Sequence, residues 1–221
     1  ADAALEALRT LTISDYTGVD GGPDYGGGSD KFAEYVGMLD MITSMRRQPT
    51  FNSENHMIAD GEARYTPDVA PWVSNWVWTG ALHGTAASVI WVWQRDYTTD
   101  YLAGSILNRP DAIAQVGRAS LDLNRLVGEV NAFQNAPADV AMLYSMTPRL
   151  YSDAYYDTMT KAYKALSYNG QKVGFVTENQ TATELDRYKM LVLPDVRNLS
   201  ADALRNIARF VKRGGRVVTM G

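Results

Sequence analysis

The sequence predicts an α/β protein in two parts, and three observations carry that prediction. Short apolar runs alternate with stretches of helical periodicity along the chain. A polar stretch with a proline, "QNAPAD" (134–139), interrupts the alternation once. After it the alternation starts afresh, with crossovers of the length that parallel strands require. Residues 1–136 and 138–221 are therefore read as separate domains.

In the first part, "ALEALRT" (4–10) reads as a helix end and "LTIS" (11–14) as a strand that delivers Asp15 and Tyr16 to a loop. "GVDGGPDYGGGSD" (18–30) is rich in Gly and Asp and is expected to be irregular throughout. Ser29 or Asp30 then caps a helix over 31–47, whose Phe32, Tyr35, Met38, Leu39 and Ile42 share one face. A strand follows at "PTFNSE" (49–54). A helix runs from Pro67 or Pro71 to about His83, a strand covers 87–94, and one helix spans 110–133. Trp72 and Trp76, four apart, read as helix-to-sheet packing.

In the second part, strands are expected at 140–145, 172–177, 188–194 and 216–221, with helices at 155–170 and 200–215. Ser200 is the N-cap of the last helix and a Gly pair stops it. This pattern predicts a doubly wound parallel sheet of flavodoxin-like or amidotransferase-like type. An amidotransferase of that type needs a Cys, and none is present; GxSxG, GxGxxG and GxxxxGK[ST] are absent too. The domain is thus read as a packing or oligomerisation unit, which places the chemistry in the first part.

Composition sets the chemical class. With 221 residues, 46% of them hydrophobic and 21% charged, the chain can bury a substantial core. A formal net charge of −4 argues against nucleic acid or an anionic membrane as partner. The lack of cysteine excludes disulfides, thiolate metal sites and cysteine nucleophiles. No apolar run approaches the roughly 18 residues of a membrane span and no basic-then-apolar leader opens the chain, so a cytoplasmic location is favoured. The chain starts at Ala1 inside a helical pattern and stops at Gly221 just after an apolar strand, so it reads as a fragment.

Four features converge on Glu54. It ends a short strand, a polar loop follows it, its neighbours Asn52, Ser53, Asn55 and His56 all form hydrogen bonds, and the next strand ends in Trp91, Trp93, Gln94 and Arg95. In α/β barrels the reactive groups sit at the C-terminal ends of the strands. Indoles beside a carboxylate suit a sugar, whose C–H faces stack on aromatic rings while Asn, Gln and Arg bind its hydroxyls. A glycosidase needs that carboxylate to attack or stabilise an oxocarbenium-like centre. The plainer alternative is a loop acid beside core tryptophans. His56 is close enough in sequence to touch sugar hydroxyls, and His83 reads as a structural residue at a helix end. No metal-ligand motif is present, so neither a catalytic metal nor a cofactor is expected.

"WTGALHGTAASVIWVWQRDY" (78–97) resembles the last helix-to-strand segment of glycoside hydrolase family 42, the barrel β-galactosidases, and "FNSENHM" (51–57) resembles its seventh strand. "LDRYKMLVLPDVRNLSADALRNIARFVKRGGRVV" (185–218) looks like its amidotransferase-like trimerisation domain. The resemblance implies that residues 1–136 are the C-terminal half of a (β/α)8 TIM barrel, strands six to eight, and that 138–221 are a trimerisation domain truncated at its end. It implies a retaining β-galactosidase or related β-glycosidase with Glu54 as nucleophile, Tyr16 as a hydrogen-bond donor to it, and a β-glycoside or oligosaccharide as substrate. Tyr16 reads equally well as an aromatic packed in its loop. Asn52, His56, Trp91, Trp93 and Arg95 would contact the sugar, and the protein would be a homotrimer. The loop at 98–111 departs from the family, with Asp100 the only acid near the expected place and no His, which leaves the sugar open. The general acid/base is expected to lie outside this chain. Asp15, Asp20 or Asp24 as a second carboxylate is the lesser alternative, because retaining catalysis needs the pair about 5–5.5 Å apart across the sugar bond.

Overall fold

A computed structural model of the protein describes residues 17–22, 28–58, 69–93, 105–146, 148 and 152–221. The described residues form two separate parallel sheets. By contacts the chain divides into a unit of residues 1–39 and 48–136 and a unit of residues 40–47 and 137–221. Each is described by itself.

The first sheet has the order β1-β2-β3, with β1 at Thr17–Asp20, β2 at Thr50–His56 and β3 at Thr85–Trp91. Helix α1 (Gly28–Arg46) follows β1, α2 (Val69–Leu82) follows β2, and α3 (Pro110–Arg125) and α4 (Val127–Asn135) follow β3. In α2 the buried residues Val69, Val73, Trp76 and Gly80 recur at spacings of four, three and four, which is one helical face. Pro71 sits in its first turn, where a missing N–H removes no intrahelical bond.

Several expectations about this unit change: β3 runs over Thr85–Trp91 and not 87–94, and α1 begins at Gly28, ahead of the expected cap at Ser29 or Asp30. β1 occupies Thr17–Asp20, residues expected to belong to an irregular loop. Gly18 is the reason: a Cβ there would overlap the Phe51 carbonyl oxygen, so glycine lets the strand approach β2 where it was read as a breaker. Gly21, at φ +92°, is where the chain leaves the strand. The strand expected at 11–14, with Asp15 and Tyr16, lies outside the described residues. The single helix expected over 110–133 is instead α3 and α4, divided at Leu126 (φ −106°, ψ 23°). Its N–H still donates to Asp122 and its carbonyl still accepts from Val130, so the periodicity runs on across the break.

The second sheet has the order β5-β4-β6-β7, with β4 at Val140–Tyr144, β5 at Val173–Thr177, β6 at Met190–Pro194 and β7 at Arg216–Met220. All neighbours are parallel. Helices α5 (Asp153–Tyr168) and α6 (Ala201–Lys212) make the crossovers. The strand order reverses between β4 and β6, as the doubly wound reading requires. Every residue of β4 and β5 is buried, which explains their continuous apolar runs. Ala141, Leu143, Val176, Leu191, Ile207 and Phe210 form the core between sheet and helix. Ser200 caps α6, its hydroxyl accepting the Ala203 N–H at 3.2 Å. Gly214, at φ +98°, follows the helix end. No helix among the described residues is long and apolar enough to cross a membrane.

Candidate functional site

β1, β2 and β3 end side by side, and their pairing sets the site. Asp20 is paired with Glu54 and His56 with Trp91. As a result one donor-type atom from each of Asp20, Glu54 and His56 falls in a group spanning no more than 4.8 Å. His56 Nε2 is 3.6 Å from Glu54 Oε2. The His56 ring stacks on Trp91 with centroids 5.6 Å apart and planes 18° apart. The Glu54 side chain is 42% exposed, so the carboxylate is open to solvent.

Strict alternation along β2 would put Asn52, Glu54 and His56 on one face. The structure departs from that pattern, because the pairing shifts between Val19 and Asp20 on one side and between Asn52 and Asn55 on the other. Asn52 and Asn55, three apart, consequently both reach the helix layer. Asn55 Oδ1 accepts the Trp76 indole N–H at 2.7 Å, and its amide donates to Ser88 Oγ of β3 at 2.7 Å. Asn52 donates to the Gly21 carbonyl and to Tyr35 Oη, each at 3.0 Å, and accepts the Glu54 N–H at 3.1 Å.

An aromatic layer backs these amides. Tyr35 meets Trp76 edge-on at 5.0 Å, and Phe32 meets Trp72 and Trp76 at 6.0 and 5.9 Å. Burial pushes the Tyr35 phenol well above its ordinary range; the Asn52 hydrogen bond opposes this and the Asp20 charge adds to it. Tyr35 therefore keeps its proton and donates it to the Gly21 carbonyl.

The structure thus sorts the sequence-derived residues. Glu54, His56 and Trp91 come together at the strand ends, and Trp93, just beyond β3, is 47% exposed. Asn52 does not join them: it is 2% exposed on the helix side, with both amide hydrogens engaged by protein, so the expected contact with a sugar gives way to an internal role. Tyr16, Arg95 and Asp100 lie outside the described residues. His83 closes α2, its N–H donating to Thr79 and Gly80 carbonyls.

Sequence reasoning gave Asp20 little weight and Tyr35 only a packing role. Asp20 is brought to Glu54 by parallel pairing between segments 34 residues apart, which no local pattern shows. Tyr35 carried a usable signal, since a tyrosine on a buried helix face needs a partner for its hydroxyl. Two carboxylates and an imidazole are also donors that a divalent cation accepts. Exposed acids at this spacing are common without an ion, so the geometry alone assigns no metal.

The strand ends of the second unit are tied to one another. Ser145, after β4, donates its hydroxyl to Glu178 Oε1, and Glu178 Oε2 accepts the Ser200 N–H at 2.8 Å. Burial raises the Glu178 carboxyl, but hydrogen bonds from Ser145 and Ser200 outweigh it and leave the group below its ordinary range.

Residues 134–220 match the family model of the β-galactosidase trimerisation domain. A search of curated proteins gives no match. Among solved structures, a GH42 β-galactosidase from G. stearothermophilus, determined as a catalytic mutant, is similar over 98% of this chain and 33% of its own, at 18% identity and a TM-score of 0.76. An apo exo-carrageenase GH42 from Bacteroides ovatus is similar over 86% and 27%, at 20% identity and a TM-score of 0.74. A polyextremophilic β-galactosidase from the Antarctic haloarchaeon Halorubrum lacusprofundi is similar over 87% and 31%, at 19% identity and a TM-score of 0.63. At these identities the likeness is one of fold. The chain spans about a third of the length of these structures.

Proposed function

We propose, from a C-terminal unit that matches a β-galactosidase trimerisation domain and a barrel-type sheet before it, that the chain is part of a retaining glycoside hydrolase acting on β-galactosides or related β-glycosides. In this reading β1, β2 and β3 are strands six to eight of the barrel. The observation that carries it is the position of Glu54: near the C-terminal end of the middle strand, its carboxylate open to solvent beside His56, whose ring stacks on Trp91.

Glu54 would attack the anomeric carbon as the glycosidic bond breaks, giving a glycosyl ester. A general acid protonates the departing oxygen. The same group, now a base, then takes a proton from the water that cleaves the ester and regenerates the Glu54 carboxylate. Asp20 is poorly placed for that second task, because it lies beside Glu54 on the adjacent strand and a general acid must reach the glycosidic oxygen from across the sugar. We assign the acid/base to a barrel strand outside this chain. Trp91 and Trp93 would stack on the sugar, His56 and Arg95 would bind hydroxyls, and the second unit would assemble the protein as a homotrimer; Tyr16 directly precedes Thr17 at the start of β1, the end away from Glu54, and takes no part in this reading.

The test is the full-length protein with Glu54→Gln, assayed on chromogenic β-galactosides and β-glucosides. A fall of kcat by several orders of magnitude supports the reading, and undiminished turnover removes Glu54 from the nucleophile role.

A further inference from the structure

We propose that Asn52 is a positioning residue for Glu54: its side chain replaces the ladder hydrogen bonds that are lost at the bulge and fixes the Glu54 backbone to the end of β1. The inference rests on the reading of Glu54 as nucleophile and adds to it the residue that holds the nucleophile in place.

Both ladders beside Glu54 are irregular at the same level, the β1 pairing slipping between Val19 and Asp20 and the β3 pairing between Asn52 and Asn55. Regular pairing therefore reaches Glu54 only through Asp20 on β1, with no register partner on β3. A closed ring of hydrogen bonds stands in its place. The Gly21 N–H donates to the Glu54 carbonyl at 2.7 Å. The Glu54 N–H donates to Asn52 Oδ1 at 3.1 Å, and Asn52 Nδ2 returns to the Gly21 carbonyl at 3.0 Å. Both backbone groups of Glu54 are thus held to Gly21, one directly and one through a side chain.

Gly21 is the residue after Asp20, so the ring also keeps the Asp20 and Glu54 carboxylates together. Tyr35 completes it from α1, donating to the Gly21 carbonyl and accepting from Asn52 Nδ2. Asn52 is 2% exposed, which shields these bonds from water. The ring needs one acceptor and two donors on a short stem. Asp has the size without the donors, and Gln has the donors on a stem one carbon longer.

Displacement of a reacting group by about 1 Å can cost on the order of 100-fold in rate. The test compares Asn52→Asp, Asn52→Ala and Tyr35→Phe with Tyr163→Phe in the full-length protein. Tyr163 donates a partly buried hydrogen bond to Asp40 within the second unit, and its loss serves as a stability control that touches no member of the ring. Steady-state kinetics, melting temperature and the rate of trapping by a 2-fluoro glycoside are read for each.

The expected result is a fall of about 10- to 100-fold in kcat and in the trapping rate for the Asn52 variants. KM stays within about threefold, and the fall persists well below the melting temperature. Tyr35→Phe shows a smaller loss in the same direction, and Tyr163→Phe lowers the melting temperature alone. If Asn52 variants keep kcat within about twofold, or regain it fully on cooling, the inference is overturned. Should neither Asn52 variant fold, Tyr35→Phe decides, and unchanged trapping overturns it. Glu54→Gln run in parallel separates the two claims: an active Glu54→Gln sinks the functional reading itself, whereas an inactive one beside a fully active Asn52→Asp sinks only the role of Asn52.

Discussion

His56 Nε2 stands 3.6 Å from Glu54 Oε2, and the same imidazole lies flat on Trp91. The stacking joins β2 to β3 beside Asp20. Replacing His56 with Ala is expected to lower kcat/KM about tenfold, the scale of a lost orienting contact. The half-buried imidazole leaves melting nearly unchanged when removed. Parallel kinetic and thermal measurements check this, and unaltered kcat/KM would make His56 a bystander.

Trp76 matters for stability through its indole N–H as well as its ring. Trp76→Phe keeps the edge-on contacts with Tyr35 and Phe32 but strands Asn55 Oδ1, which accepts that N–H at 2.7 Å. A buried acceptor without a partner costs about 1–3 kcal/mol. Urea unfolding should show that loss.

Gly22 is a close approach to His56 that a single substitution can probe. A Cβ there would sit 2.6 Å from the His56 carbonyl oxygen, a backbone atom that cannot rotate away. Gly22→Ala should destabilise by about 1–3 kcal/mol and also reduce activity by displacing His56. Gly128, inside α4, meets nothing within 4 Å, so Gly128→Ala should stabilise by about 0.5–1 kcal/mol. Unfolding midpoints of the two variants should move in opposite directions.

These contrasts show what was legible in the sequence. The second sheet was readable almost throughout, because fully buried parallel strands give unbroken apolar runs and Ser200 and the Gly pair mark the ends of α6. β1 was not, because its Gly-rich composition signals a turn while the structural reason for Gly18 is the Phe51 carbonyl of a different strand. Glu54 stood out through its local surroundings. Its neighbour Asp20 did not, since parallel pairing alone unites them, and the true direction of Asn52 depends on a bulge that leaves no mark in residue type.

Glu178 makes the second unit sensitive to acid. Burial raises its carboxyl, yet the Ser145 and Ser200 hydrogen bonds bring the folded value below the ordinary 4.5. A depressed folded value means that the carboxylate stabilises the fold above the unfolded pKa and loses that contribution as pH falls through the folded one. Stability should therefore decline as pH drops below about 4.5, and Glu178→Gln should flatten that part of the profile. Denaturant midpoints at pH 7, 5, 4 and 3 for both proteins check the sign; parallel profiles would contradict it.

The central claim is that Glu54 forms the covalent bond to the sugar. The most direct measurement treats the full-length protein with an activated 2-deoxy-2-fluoro-β-galactoside or the matching glucoside, digests it with trypsin and locates the added mass by tandem mass spectrometry. Cleavage after Arg47 and Arg64 isolates "QPTFNSENHMIADGEAR" (48–64), in which Glu54 is distinguishable from Asp60 and Glu62. The account predicts the label on Glu54 and its loss in Glu54→Gln. A label on Asp20 or on any other carboxylate, in an enzyme that turns over these glycosides, would contradict it.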